Sequence, residues 1–297
     1  DTNNPTGFLV INDGIVTADT TLAFNTTSKV FTLGKVGANF SFYAGNTKYT
    51  KVADQTVDLT SIWANNTLFY ITENASGVLT ASATEYEITS NVAPVATVLW
   101  NGTSAFSIIS DERHSCKRNN AWHEWAHDNV GAKYTSGFDV NTLTTASTII
   151  NSGVISDEDI HIAIGTQTDS IRIVYKTGAT LTYADTLSAT TASIVAGALK
   201  YDASGTLTSV TSGYFVRNII LATNVLNAGG PIVCRVAQQQ FDNINDARNS
   251  TPPTATVYLS NETREIYSVI WQNVGGTPTL VEYTDFRNAP GLPSGFI

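Results

Sequence analysis

Short runs in which apolar and polar residues alternate dominate this chain, and they predict β-strands. The clearest run is 160–164, where every second residue is isoleucine, a period that buries one face of a strand. Gly45-Asn46 and Ser76-Gly77 separate other runs and are typical of hairpin turns. The best strand candidates are 30–33, 39–43, 48–52, 68–72, 78–81, 95–100, 160–164, 171–175, 180–183, 214–222, 232–236, 266–271 and 279–283.

One segment, residues 111–134, breaks this pattern. It holds three of the four histidines and predicts a helix over about 117–128, with Ser115 as its cap and Gly131 at its end. His123 and His127 are four residues apart and therefore share a helix face. Trp122 and Trp125 are three apart and lie on a neighbouring face.

The order of these elements predicts an all-β fold, with two β-sandwich-like domains bridged by a short helical insert rich in His and Trp. We place an N-terminal β domain at 1–93, the bridging segment at 94–140 and a C-terminal β domain at 141–287. Ala93-Pro94 marks the first boundary because proline interrupts regular structure. Residues 288–297, with two prolines and two glycines, form an extended arm.

Composition excludes several classes of function. The net charge of −9 argues against nucleic-acid binding, which needs a basic face. No run of 18 apolar residues exists, so we expect no membrane insertion. Only 14% of residues are charged, so Thr, Ser and Asn, or another subunit, must cover the surface. Cys116 and Cys234 are too few for a disulfide framework.

The sequence His123-Glu124-Trp125-Ala126-His127 is an HExxH motif, by which zinc peptidases present two imidazoles to a metal while Glu polarises a water. A catalytic site also needs a third protein ligand. The extended motif would have Gly and His where Val130 and Lys133 stand. Glu158 and His161 are the nearest other candidates, but both lie among predicted strands. A zinc metallopeptidase therefore stays an alternative without its confirming context.

A structural metal ion is a second use of the same residues. His114, Cys116, His123 and His127 are chemically competent ligands, although their spacing matches no standard zinc finger. The alternative is that the histidines are buried and hydrogen-bonded. In a trimer, one His from each chain would supply three ligands at the axis. The acidic run 157–159 could hold calcium or could be a solvated loop.

Two further sets of residues suggest contacts. Arg113 beside Asp111 and Glu112, and Asp285 beside Arg287, have the composition of local salt bridges. Exposed tryptophans would stack on sugars in a carbohydrate-binding module, a third functional alternative. The residues concerned are Trp63, Trp100 and Trp271, which the sequence assigns neither to the surface nor to the core.

Taken in order, several blocks resemble a module of tailed-bacteriophage virion appendage and tail-fibre proteins. In that family an apolar strand leads to a DERHG-like turn, and a helix with spaced histidines follows. The matching blocks here are 95–114 with SDERH, the helix with His123 and His127, 131–138, the DEDI block at 155–160, the ATN block at 220–224, 239–248, 265–267 and the DFR block at 285–287. Ser115 stands where the family has Gly, and Cys116 is also a departure.

The resemblance implies a homotrimeric, non-enzymatic fibre or appendage subunit on the exterior of a virion. Its expected partners are other copies of itself, other virion proteins and a host-surface glycan or receptor. It implies no catalytic residue and no cofactor beyond a structural metal ion held by His114, His123 and His127 near the threefold axis. It also implies a structural junction between the two β domains, made by Asp111, Glu112, Arg113, Trp122, Trp125, Asp285 and Arg287.

Overall fold

The computed structural model describes residues 5–13, 15–86, 91–104, 107–118, 120–177, 180–188, 190–225, 231–251 and 263–288. These residues form many short strands and two short helices, which confirms the predicted all-β fold. No helix within these ranges is long and apolar enough to cross a membrane. The arm predicted at 288–297 lies, apart from its first residue, outside the described residues.

The chain divides into two compact units. Unit 1 comprises Asp1–Gly131, Ser156–Ile162 and Asn224–Asn227, and unit 2 comprises Ala132–Ile155, Ala163–Thr223 and Ala228–Ile297. The division after Gly131 falls inside the predicted bridging segment 94–140, and two short later segments return to unit 1. The sequence does not reveal these returns because they depend on contacts between residues that are far apart along the chain.

Unit 1 contains three antiparallel sheets. Their orders are β1-β4-β5, β2-β3-β6 and β10-β9-β7-β8. The strands are β1 (Gly7–Phe8), β2 (Thr20–Asn25), β3 (Val30–Lys35), β4 (Phe40–Ala44), β5 (Thr47–Lys51), β6 (Gln55–Asp58), β7 (Leu68–Glu73), β8 (Leu79–Ser82), β9 (Ala93–Leu99) and β10 (Ile108–Asp111).

Alternating strand residues build the core of unit 1. In β4 the side chains of Phe40, Phe42 and Ala44 are buried while the residues between them are half-buried. Phe31 and Phe69 join them in one hydrophobic cluster. Each buried large side chain contributes roughly 1.5–3 kcal/mol to folding, so this cluster is the main support of unit 1.

Two of the predictions concerned glycine and proline positions at which the chain was expected to turn or break. The hairpin at Gly45-Asn46 is confirmed, since both residues have positive φ and join β4 to β5. The break predicted at Ala93-Pro94 is wrong, because Pro94 lies within β9, opposite Thr72 and beside a register shift. An irregularity of this kind tolerates a residue that lacks an N–H.

Helix α1 (Asn120–Asn129) follows β10 and begins three residues later than predicted. Ser115 Oγ accepts a hydrogen bond of 3.2 Å from the Lys117 N–H, so it organises the approach rather than the first turn. Gly131 has a φ of 56° and donates its N–H to Ala126 O at 3.0 Å, which ends the helix as predicted.

Unit 2 is built on a six-stranded sheet of order β18-β17-β23-β22-β24-β25, in which β17 and β23 are parallel. The elements after α1 are β11 (Lys133–Gly137), β12 (Val140–Leu143), β13 (Thr148–Ile150), β14 (Gly153–Asp157), β15 (Ile160–Ile164), β16 (Gln167–Thr168), β17 (Ile171–Thr177), β18 (Thr180–Ser188), β19 (Ile194–Val195), β20 (Ala198–Asp202), β21 (Leu207–Ser209), β22 (Phe215–Thr223), β23 (Ile232–Arg235), α2 (Ile244–Asn249), β24 (Thr263–Val274) and β25 (Thr277–Asp285). Residues 156–162, at the end of β14 and the start of β15, belong to unit 1.

Candidate functional site

Three histidines of unit 1 meet one carboxylate, that of Glu158. His123 Nδ1 lies 2.5 Å from Glu158 Oε2, and His114 Nδ1 lies 3.6 Å from the same oxygen. His127 Nδ1 lies 3.7 Å from Glu158 Oε1. The Glu158 side chain is only 2% exposed. All three predicted metal ligands therefore lie near Glu158, but only His114 and His123 form a metal-competent group with it.

Different elements bring these groups together. Glu158 and Asp159 form the two-residue turn between β14 and β15, and Glu158 has a φ of 49°, in the left-handed region that is uncommon for residues other than glycine. His123 and His127 point from one face of α1, as the sequence predicted. His114 lies just after β10, where its carbonyl accepts the Phe8 N–H at 2.8 Å.

Gly7 allows the N-terminal strand to approach His114. Its φ is 110°, and a Cβ at this position would lie 2.5 Å from His114 O. We expect Gly7→Ala to lower the free energy of unfolding by roughly 1–3 kcal/mol, because it adds both backbone strain and a steric clash. Gly37→Ala is the matched control, since a Cβ added there would meet no atom within 4 Å. Urea denaturation of both variants checks this, and equal stabilities would contradict it.

Both ring nitrogens of His123 have polar partners. Its Nε2 lies 3.3 Å from the carbonyl oxygen of Ser115, while its Nδ1 faces Glu158. A neutral imidazole carries a single N–H. If Nε2 donates to Ser115, the Nδ1 lone pair faces a carboxylate, and this contact requires a second proton or a cation.

Asp159 and Ser115 form the next layer around the histidines. Asp159 Oδ1 lies 3.0 Å from His114 Nδ1, and Asp159 Oδ2 accepts the Ser115 N–H at 3.2 Å. A cavity of about 390 Å³ adjoins this layer and is lined by Ser115 and Asp159 together with Leu9, Ile11 and Lys117. Neither His123 nor Glu158 lines that cavity.

Arg113 and Asp111 form a buried bidentate pair at the edge of the cluster. Arg113 Nε and Nη2 donate to the two oxygens of Asp111 at 2.7 and 2.5 Å. Arg113 Nη1 also donates to the carbonyl and hydroxyl oxygens of Thr20 at 2.6 and 2.7 Å. The charged side chains of Arg113 and Asp111 are 6% and 5% exposed. The salt bridge predicted for Arg113 is therefore present and buried.

Asn224 connects separate parts of unit 1 and was not singled out by its chemistry. Its side-chain N–H donates to Asp157 Oδ2 at 2.8 Å and to Asp111 O at 3.4 Å. Both Asn224 and Asp157 are buried. The solvated-loop alternative for 157–159 is therefore wrong, because Asp157 and Glu158 are enclosed by an amide and by imidazoles.

Burial and mutual charge shift the pKa of several groups here. Burial, followed by the negative charge of Asp157, raises the pKa of Glu112 well above its ordinary value. For His114, burial lowers the pKa, but the charge of Glu158 and the hydrogen bond that His114 donates to Asp159 outweigh it and raise the pKa well above its ordinary value. For Asp159, burial raises the pKa, but the hydrogen bond and the charge of His114 lower it by more, so the pKa lies below its ordinary value. The cluster thus favours a cationic His114 beside an ionised Asp159.

The other predicted junction residues are distributed differently. Trp122 is half-buried, with the Arg118 guanidinium 4.7 Å from its ring centre, whereas Trp125 is 57% exposed. Asp285 and Arg287 lie in unit 2, where Arg287 binds Asp285 and Asp139. Five of the predicted junction residues therefore belong to unit 1, and Asp285 and Arg287 belong to unit 2.

Further predicted residues lie outside the cluster. Cys116 and Cys234 are free thiols, and Cys116 is not part of the metal-competent group found among the described residues. Trp100 and Trp271 are buried, and Trp63 stacks on Phe24 and Phe69. Trp100 and Trp271 therefore lie in hydrophobic interiors, whereas Trp63 is half-buried against its aromatic neighbours. The side chain of Glu124 lies outside the described residues.

Comparisons of the chain with protein-family models, with curated proteins and with solved structures found no match. The functional conclusion therefore depends on the residues of this chain and on their contacts.

Proposed function

We propose that this chain is a structural virion protein, a trimeric subunit of a bacteriophage tail fibre or appendage. In this role it attaches to other virion proteins and contacts a host-surface glycan or receptor. One observation carries the proposal: the sequence blocks that resemble this family bind one another in buried polar networks. A shared fold would keep such blocks together because each one satisfies the polar groups of another.

In unit 1 these contacts join three blocks. Asn224 of the ATN block donates to Asp157 of the DEDI block at 2.8 Å. His114 of the SDERH block lies 3.0 Å from Asp159 of the DEDI block. In unit 2, Arg287 of the DFR block donates to Gly137 O at 2.8 Å, inside the block at 131–138. Residues far apart in sequence are thus held at fixed positions.

The cluster has the properties of a structural network rather than a reaction centre. The side chains of His123 and Glu158 are 10% and 2% exposed, and each is engaged by another group of the chain. A fully satisfied buried polar network fixes one arrangement of the surrounding fold. Neither His123 nor Glu158 lines the cavity beside Ser115 and Asp159, which supports a non-enzymatic role.

Exposed apolar side chains support self-association. Ile15, Val36 and Val52 are 94%, 62% and 72% exposed, and only 14% of the residues in the chain are charged. In a closed oligomer, each subunit covers exposed apolar side chains of its neighbours. The same composition would be costly on a monomer, because it leaves apolar surface in water.

We expect the purified chain to sediment as a trimer of about 95 kDa, three times the 31.8 kDa chain. Sedimentation velocity at micromolar concentration measures this, and electron microscopy should show three copies around one axis. A homogeneous monomer under these conditions would contradict the proposal.

A zinc metallopeptidase is the second candidate, and one observation favours it. Glu158 lies 2.5 Å from His123 and 3.7 Å from His127, the two histidines of the HExxH motif, although only His123 belongs with it to the metal-competent group. The burial of the cluster opposes this candidate. A peptidase assay with added zinc, using Glu124→Gln as the matched inactive variant, separates the two functions. Hydrolysis that disappears in this variant would replace the structural proposal.

A further inference from the structure

We propose that His114, His123 and Glu158 bind one transition-metal ion within each chain, and that this ion is Zn²⁺. The site is buried, and its assignment does not depend on the proposed virion function. The site also differs from one at a threefold axis, because a single chain supplies every protein ligand.

The first argument is geometric. His114, His123 and Glu158 each offer one ligand atom, and these atoms lie within 4.8 Å of one another. Ligand atoms of a tetrahedral zinc site, with bonds of about 2.0–2.1 Å, lie roughly 3.3 Å apart. The contact of 2.5 Å between His123 and Glu158 would have to open by about 0.8 Å for the ion to enter.

His127 lies beside the site but outside the metal-competent group. Its Nδ1 lies 3.7 Å from Glu158 Oε1, on the opposite oxygen of the carboxylate from His123. Zinc sites with three protein ligands hold a water in the fourth position. Two imidazoles and one carboxylate give such a set, and imidazole nitrogens favour zinc over calcium or magnesium.

The groups behind the ligands also fit a metal. Metal-binding histidines usually direct their second nitrogen at a carbonyl or carboxylate, which fixes the orientation of the ring. His123 Nε2 lies 3.3 Å from Ser115 O, and His114 Nδ1 lies 3.0 Å from Asp159 Oδ1. The Ser115 N–H is in turn held by Asp159 at 3.2 Å.

The local charge is a separate argument for a cation. Arg113 is paired with Asp111, so it does not neutralise the remaining carboxylates. Glu112, Asp157 and Glu158 are buried nearby, with imidazoles and an amide as their neighbours among the described residues. Buried carboxylates are retained when they are paired or bind a metal, and a divalent ion would give the Glu158 carboxylate a partner of opposite charge.

Metal content and mass, measured on the same sample, test the proposal. The chain is loaded with Zn²⁺, dialysed against zinc-free buffer and analysed by plasma mass spectrometry and sedimentation. We expect one zinc per chain in any oligomeric state. One zinc per three chains would place the ion at an axis and overturn the proposal, and so would the absence of retained zinc. A monomer with one zinc per chain would contradict only the virion function.

Variants test the ligand set. We expect His123→Gln and Glu158→Gln each to weaken zinc binding at least 100-fold, a loss beyond the 10–100-fold typical of groups behind the ligands. His161→Gln is the matched control, because this fourth histidine lies outside the metal-competent group. Co²⁺ titration of the wild-type protein should give visible absorption bands of tetrahedral coordination, a readout that does not require any variant to fold. Unchanged binding in Glu158→Gln, or octahedral Co²⁺ spectra, would overturn the proposal.

Discussion

Arg113→Ala should lower the free energy of unfolding of unit 1 by about 3–5 kcal/mol, the range for breaking a buried ion pair. The loss is large because Asp111, whose side chain is 5% exposed, would keep its charge without a partner. The carbonyl of Thr20 would also lose its donor. Chemical denaturation followed by tryptophan fluorescence measures this, since Trp63 and Trp100 pack in unit 1.

A matched control exists in unit 2, where Asp285 and Arg287 repeat the same pairing. Arg287 donates its backbone N–H and its guanidinium to Asp285, as Arg113 does to Asp111. The Asp285 side chain is 41% exposed, however, and solvent screens its charge. We expect Arg287→Ala to cost about 1 kcal/mol or less through its ion pairs. Equal losses in the two variants would show that burial does not set the strength of this motif.

Most of the strands that the sequence predicted are those in which apolar residues recur along the run. The runs at 160–164 and 266–271 lie within β15 and β24, where isoleucine and other apolar residues mark the buried face. Strands rich in Thr and Asn, such as Val140–Leu143, gave no such signal and were missed. Their pairing depends on backbone hydrogen bonds and neighbours, which a single strand does not encode.

The sequence predicted only part of the candidate site, because some of its contacts follow from local spacing and others depend on distant residues. Helical spacing places His123 and His127 on one face, so their proximity follows from local sequence. The position of Glu158 does not, because it depends on a tight turn with positive φ and on the return of residues 156–162 to unit 1. Asn224, which donates to Asp157, lies still farther along the chain. Buried charge networks of this kind are assembled by the fold, and only their ligand types are visible in the sequence.

Glu73→Gln should stabilise the chain at pH 8 by roughly 2–4 kcal/mol and have little effect near pH 4.5. Glu73 ends β7 with no exposed surface, and its carboxylate oxygens have no hydrogen-bond partner among the described residues. Burial raises its pKa to about 7 against an opposing effect of the Lys51 charge.

The sign of this effect follows from proton binding. Between the unfolded pKa of 4.5 and the folded value of about 7, the folded state binds more protons, so stability falls as pH rises through this window. The Glu73→Gln substitution would remove that dependence while keeping a polar group of similar shape, and every other titrating group is common to both proteins. The difference in unfolding free energy between wild type and Glu73→Gln, measured by urea denaturation from pH 4.5 to 8, therefore isolates this one carboxyl. A difference that does not change with pH would show that Glu73 ionises in the folded protein as it does in the unfolded chain, and that water or a cation reaches it.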